Sequence, residues 1–178
     1  MTKLDKFAIT LLYVIAWLIF VGLSIEAGGL IVNFFFSVFK PQVVERLYQK
    51  LDLSVMYAQS KAVFFGVYSF IIFIAVLKAV LFYRVIQLVH HLNLNKPFSR
   101  LVSRKVLQIS YYTFSIGIIS LIARQFVKNV SHHGYTIDIL GEFWVDSQAF
   151  ILMATVIYII AVIFKRGIEM QEENELTV

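Results

Sequence analysis

The residues of this sequence that could do chemistry together are a histidine pair and three acids that follow it. They are His132, His133, Asp138, Glu142 and Asp146. The acids are spaced by four, so they share one face if the segment is helical, and with the imidazoles they could ligate a divalent metal. Gly134 and Gly141 interrupt the stretch and disfavour a regular helix through it. We therefore assign neither a metal nor another cofactor.

Other catalytic patterns are missing from the sequence. It contains no cysteine, which excludes disulfides, thiolate metal sites and cysteine nucleophiles. It has no HExxH motif, no phosphate-binding loop and no recognisable pair of nucleophile and base. His90 and His91 follow an apolar run, where interfacial histidines are ordinary. We therefore expect a protein that is not an enzyme.

The composition is that of a membrane protein. The 178 residues are 60% hydrophobic and 15% charged, with a mean hydropathy of +0.80, whereas soluble domains are about 45 to 50% apolar and about 25% charged. A soluble domain of this size would expose much of that apolar surface to water. The net charge of +5 comes from cations beside apolar runs, so we expect a lipid bilayer rather than direct nucleic-acid binding.

Four apolar segments are long enough to cross a bilayer, at about residues 7–26, 62–83, 106–123 and 145–164. The connector 84–105 carries five Lys or Arg and no Asp or Glu, and short loops of this kind stay in the cytoplasm. We therefore predict an all-α, four-helix transmembrane bundle forming a single domain, with both termini cytoplasmic. Segments 27–61 and 124–144 are then outer connectors, and 165–178 is a cytoplasmic tail.

Two ionisable residues lie in or beside these apolar segments. Glu26 falls about 30 Å along a helix from Phe7, near the outer interface, and Gly28-Gly29 offers a break after it. An intramembrane functional acid is the alternative for Glu26. Lys78 lies about one turn from the inner end of its segment, so its stem can reach the cytoplasmic interface, unless it lines a pathway.

The third segment carries the most hydroxyl groups. They belong to Ser110, Tyr111, Tyr112, Thr113, Ser115 and Ser120. Several hydroxyls on one membrane segment favour a face buried against another helix, and Thr113 with Gly117 would permit close approach there. A hydrated path is the alternative.

Two charged stretches resemble a known family. Asn95-Lys96-Pro97-Phe98-Ser99 precedes the third segment, and IFKRGIEMQEENELTV, residues 163–178, ends the chain. Both are similar to segments of the bacterial four-span membrane family called Domain of Unknown Function 2975, whose loop typically reads Gly-Lys-Pro-Phe. Asn95 stands here in place of that glycine. The resemblance implies a multi-pass protein of the bacterial inner membrane.

These two stretches, with the cations that follow the first of them, make up the predicted cytoplasmic interaction surface. Its residues are Lys96, Pro97, Phe98, Arg100, Arg104, Lys105, Arg166, Gly167, Glu169, Glu172, Glu173 and Asn174. Ser99 can cap the helix that leads into the third segment. The acids of the tail are expected to pair with Arg100, Arg104 and Lys105, although exposed ion pairs contribute little to stability.

The resemblance also bears on function, because members of that family are often encoded beside a small helix-turn-helix regulator. It implies a sensory or regulatory protein that holds such a partner at the membrane through its loop and tail. The alternative is a small channel or transporter formed by a homo-oligomer, with Glu26, Asn33, Lys78 and the hydroxyl face of the third segment as its polar residues. The apolar segments contain almost no charged residues, which argues against this alternative.

Overall fold

The chain is built from α-helices. The computed structural model describes residues 3–40, 42, 44, 53–92, 99–131 and 147–176. Its helices are α1 (Lys3–Phe39), α2 (Ser54–Gln59), α3 (Lys61–His91), α4 (Arg100–Ser131) and α5 (Ser147–Leu176). No strand occurs in these ranges, so the all-α prediction is confirmed.

Four of these helices are long and apolar enough to cross a membrane. They are α1, α3, α4 and α5, and the most apolar stretch of each has a mean hydropathy between 1.6 and 2.4. Each is longer than the roughly 20 residues that span the hydrocarbon core, so the ends reach past it. The chain is therefore a multi-pass membrane protein.

Helix α1 is continuous over 37 residues. The break expected at Gly28-Gly29 is wrong, because a helical glycine costs only about 1 kcal/mol relative to alanine and packing on both sides opposes a break. Ala27 and Leu30 are buried in the core, and the Leu30 carbonyl accepts a hydrogen bond from the Tyr68 hydroxyl of α3 at 3.2 Å.

The long helices pack in the order in which they occur along the chain. Extensive contacts join α1 to α3, α3 to α4 and α4 to α5. Neighbours are antiparallel, since Tyr13 of α1 lies beside His90 and Phe34 beside Tyr68 of α3. Within the described ranges α1 and α5 do not pack extensively on each other, so the bundle is a row with these two helices at its edges.

Helices α4 and α5 meet along a seam that includes Ser110 and Gly117 of α4 and Ser147, Ile151 and Ala154 of α5. The buried residues of α5 recur every seven positions, at Ser147, Ala154, Ala161 and Ile168. A period of seven is typical of left-handed packing with axes crossing at about 20°. Small residues at three of the four positions on α5 let the helices approach closely.

An aromatic cluster fills the end of the bundle at which α1 ends and α3 begins. Tyr68 is fully buried and stacks between Phe34 and Phe64, with ring centroids 5.5 and 5.6 Å away. Tyr57 of α2 packs edge-on against Phe64 at 5.1 Å, and Met56 is buried beneath it. This cluster fixes the register of α1 against α3.

Candidate functional site

One end of the bundle brings the basic connector and the charged tail together. The end of α3 meets the start of α4 here, and the last turns of α5 lie beside them. Its cations are Arg84, Arg100, Arg104, Lys105, Lys165 and Arg166, and its described acids are Glu169, Glu172 and Glu173. We call this region the basic end, because its cations outnumber its carboxylates.

Arg100 and Glu172 form a two-pronged ion pair between α4 and α5. The Nε of Arg100 donates to Oε1 of Glu172 at 2.8 Å, and a terminal nitrogen donates to Oε2 at 2.7 Å. The side chains are 77% and 42% exposed, so the pair contributes little to the folding free energy. Its fork geometry does set the direction of the tail relative to α4. One of the pairings expected from the sequence is thus present.

Local sequence explains why these side chains meet. The Ser99 hydroxyl accepts a hydrogen bond from the Val102 N–H at 3.2 Å, so the predicted cap starts α4 at Arg100. On α5 the helix continues to Leu176. Residues at intervals of four and three share a helix face, which places Lys165, Glu169 and Glu172 together.

Two ion pairs between residues close in sequence lie within the tail part of α5. Glu169 accepts from Arg166 at 3.0 Å and lies 3.9 Å from the Lys165 ammonium. The side chain of Glu173 is exposed, as is that of Asn174, and Gly167 is half-buried. The tail is therefore a charged helix with one face against α4 and another facing outward.

Lys105 is directed away from the tail. Its ammonium donates to Oε1 of Gln87 on α3 at 2.6 Å, and Arg84 donates to the same oxygen at 3.1 Å. Arg84 also lies over the ring of Tyr112, 5.7 Å from its centroid. The expected pairing of Lys105 with the tail is not observed, because Lys105 is on the face of α4 that packs on α3. Arg104 is exposed and makes no ion pair with any described residue.

A hollow of about 330 Å³ opens between α4 and α5 at the basic end. It is lined by Arg100, Ser103, Arg104, Leu107, Lys165, Ile168, Glu169 and Glu172. The lining combines three cations, two carboxylates, one hydroxyl and two aliphatic side chains. Such a lining can hold an anionic group by charge and a short apolar chain by contact.

Several residues singled out in the sequence lie outside the described ranges. Lys96, Pro97 and Phe98 of the interaction surface are among them, as are His132, His133, Asp138, Glu142 and Asp146. Across the part of the chain that the structure does describe, no group of three or more His, Asp or Glu is placed to hold a metal ion.

Glu26 and Lys78 lie at similar heights in the bundle, and both are half-buried. In the antiparallel packing of α1 and α3, Phe20 lies beside Tyr83 and Phe34 lies beside Tyr68. Glu26 and Lys78 fall between these two contacts, within about one helical turn of each other along the bundle. Taken one segment at a time, the sequence predicts Glu26 and Lys78 near opposite faces of the membrane, but α1 and α3 are staggered. Neither has an ion pair with any other described residue.

The hydroxyl face of α4 packs on α5. Ser110 is buried and donates to the Ala154 carbonyl across the seam at 3.0 Å, and Thr113 donates to a carbonyl of its own helix. A Cβ placed on Gly117 would lie only 2.6 Å from Cγ1 of Ile151 and 3.1 Å from the Ser147 carbonyl oxygen. The prediction of a buried helix-packing face is confirmed for Ser110, Thr113 and Ser120, whereas Tyr111 is exposed.

Comparison with protein families gives one match. A sequence model of the family described as "Protein of unknown function (DUF2975)" matches residues 46–178, which include α2 to α5 and the whole basic end. No curated protein and no solved structure shows significant similarity to the chain.

Proposed function

We propose that this chain, which belongs to the DUF2975 family of proteins of unknown function, is a regulatory protein of the bacterial inner membrane. In this proposal the basic end faces the cytoplasm with both chain termini. A small soluble helix-turn-helix regulator binds there, on the tail of α5 and the start of α4. A change in the membrane part of the protein alters that binding surface.

The charge distribution supports this orientation. The basic end carries six described cations within a few turns of the apolar parts of α3, α4 and α5. Among the described residues, the opposite end has Lys40, Lys61, Arg124 and Lys128. Cations close to membrane spans resist translocation, so the end richer in them stays in the cytoplasm.

The continuity of α5 is the observation that carries the regulatory proposal. One helix runs from Ser147 to Leu176, so its apolar part and its charged tail move as a single rigid element. The seam against α4 extends along the same helix from Ser147 to Ile168, and the Arg100–Glu172 pair ties the tail to α4 beyond it. A shift of α5 against α4 within the bilayer would therefore reposition the tail, as in other packed-helix switches.

The outward face of the tail suits a protein partner. Met170 is 63% exposed at a position beyond the apolar part of α5, and Arg166 and Glu173 are exposed near it. An apolar side chain surrounded by charges of both signs is typical of a helix that docks another helix. Because these residues lie off the α4 face, binding there would not break the bundle.

Purification from the native host in mild detergent tests this proposal. We expect the full chain to retain a small DNA-binding protein, identified by mass spectrometry, and a chain lacking residues 167–178 to lose it. Met170→Asp should reduce recovery with the tail intact, whereas Gln59→Ala, an exposed position at the opposite end, should not. Recovery of no such protein, or equal recovery with and without the tail, would overturn the proposal.

A further inference from the structure

We propose that the groove between α4 and α5 is a binding site for one anionic phospholipid. Its phosphate lies beside Arg104 at the basic end, and an acyl chain follows the groove toward Phe114 and Tyr158. This site is independent of the regulatory function proposed above, because it requires only the chain and the bilayer.

The groove contains two hollows in line. Besides the charged hollow, a second one of about 260 Å³ is lined by Ser110, Tyr111, Phe114, Ala154, Thr155 and Tyr158. On α4 the lining residues Arg100, Arg104, Leu107, Tyr111 and Phe114 follow one another at intervals of four and three, so they share one face. On α5, Tyr158, Lys165 and Glu172 are spaced by seven and share the facing side. The two hollows are therefore parts of one groove.

The spacing of the hollows is shorter than the hydrocarbon thickness of one leaflet, which is about 15 Å, so one lipid can reach both. Arg104 and Tyr111 are seven residues apart, as are Lys165 and Tyr158, which corresponds to about 10 Å along each helix. The charged hollow lies where α4 begins and α5 leaves its apolar stretch. It is thus at the level of lipid headgroups when the second hollow is within the hydrocarbon.

The charges of the first hollow favour a phosphate. Arg100 is held by Glu172, and Lys165 lies near Glu169, which leaves Arg104 as the lining cation without an ion pair among the described residues. The Ser103 hydroxyl lines the same hollow. With Arg104 unpaired within the described ranges, the lining carries a net positive charge, so an anionic headgroup is favoured over a neutral one.

The second hollow suits the chain and the ester region of the same lipid. Tyr111, Phe114 and Tyr158 are roughly half exposed and present ring surface to an acyl chain. Ser110 and Thr155 donate their hydroxyls to helix carbonyls, so the rest of the wall is effectively apolar. The Tyr111 and Tyr158 hydroxyls have no hydrogen-bond partner within the described ranges, which leaves them free to donate to lipid ester oxygens.

Native mass spectrometry of the purified full chain tests the headgroup part of the site. The chain is first stripped of lipid and then supplied with phosphatidylglycerol or phosphatidylcholine at equal concentration. We expect one phosphatidylglycerol to be retained in preference to phosphatidylcholine, and Arg104→Gln to weaken its binding about fivefold. Arg124→Gln removes an exposed cation from the other end of α4 and should leave the affinity unchanged.

A second pair of variants tests the apolar part. Thr155→Trp fills the second hollow and should reduce phosphatidylglycerol retention, whereas Val156→Trp adds the same bulk at an exposed position outside the lining and should not. Circular dichroism and gel filtration establish that both variants are folded. Equal retention of the two lipids, equal loss in both tryptophan variants, or displacement of the lipid by inorganic phosphate alone would overturn the proposal.

Discussion

Gly117 marks a close approach of α4 and α5. A Cβ there would meet Cγ1 of Ile151 at 2.6 Å, the Ser147 carbonyl oxygen at 3.1 Å and the Ile151 nitrogen at 3.2 Å. Two of these atoms are backbone, so they can move only if the helix moves. The missing side chain at position 117 therefore sets the distance across the seam.

Replacing Gly117 by alanine should lower the free energy of unfolding by about 1 kcal/mol or more, because overpacking of about 1 to 3 kcal/mol outweighs the gain in helix propensity. Thermal unfolding in detergent micelles measures this. Gly22→Ala is the matched control, since a Cβ there meets nothing within 4 Å. We expect this control to be as stable as the parent or slightly more so. Equal stability of the two variants would contradict the close seam.

At the scale of elements, the α4–α5 pair determines both the buried hydroxyl face and the direction of the tail. Ser110, Thr113 and Ser120 are buried on the same helix whose first residue, Arg100, binds Glu172 of α5. The α4–α5 pair thus behaves as one antiparallel unit at the edge of the bundle. Two predictions follow from its packing.

Cysteines substituted singly for Ser110, Thr113 and Ser120 should not react with water-soluble maleimides in the folded protein, because these positions are buried in the bundle. The chain has no native cysteine, so each reaction reports a single site. A cysteine at Lys128, which is exposed on α4, should react readily as the control. Labelling of the three buried positions at the rate of the control would show a hydrated path and favour the channel alternative.

A short bismaleimide should cross-link cysteines introduced at Arg100 and Glu172, because their side chains now meet at 2.7 Å. Arg100→Cys with Glu173→Cys is the matched control, since residue 173 is turned about 100° around the helix. We expect the cross-linked fraction to be higher for the first pair. If both pairs react to the same extent, the tail is not held against α4 in the way described.

At the scale of the whole molecule, hydropathy predicts the four membrane helices. It does not predict where each helix ends or how neighbouring helices are staggered. Four apolar runs predict four helices, but Gly28-Gly29 does not end α1, because the core contacts of Ala27 and Leu30 outweigh the local preference. The similar heights of Glu26 and Lys78 depend on the stagger of α1 and α3, which no single segment encodes. Their positions had to come from tertiary packing.

The side-chain pairs of the candidate site were only partly predictable from the sequence, because they also depend on how the helices pack against one another. Tail acids and loop cations were expected to pair, yet which cation binds Glu172 depends on how α4 is rotated, and that rotation sends Lys105 to Gln87 instead. The sequence does contain a signal for the contact of α5 with α4. Ala154, Ala161 and Ile168 recur every seven residues, a spacing typical of a packed helix seam.

The regulatory proposal depends most directly on the orientation of the chain in the membrane. Labelling of right-side-out membrane vesicles with an impermeant maleimide measures this orientation. Cysteine at Met170, exposed on the tail, should be protected until the vesicles are opened. Cysteine at Gln59, exposed at the opposite end, should react from outside at once. The reverse pattern would put the tail outside the cell, beyond the reach of any cytoplasmic DNA-binding partner, and would contradict the account.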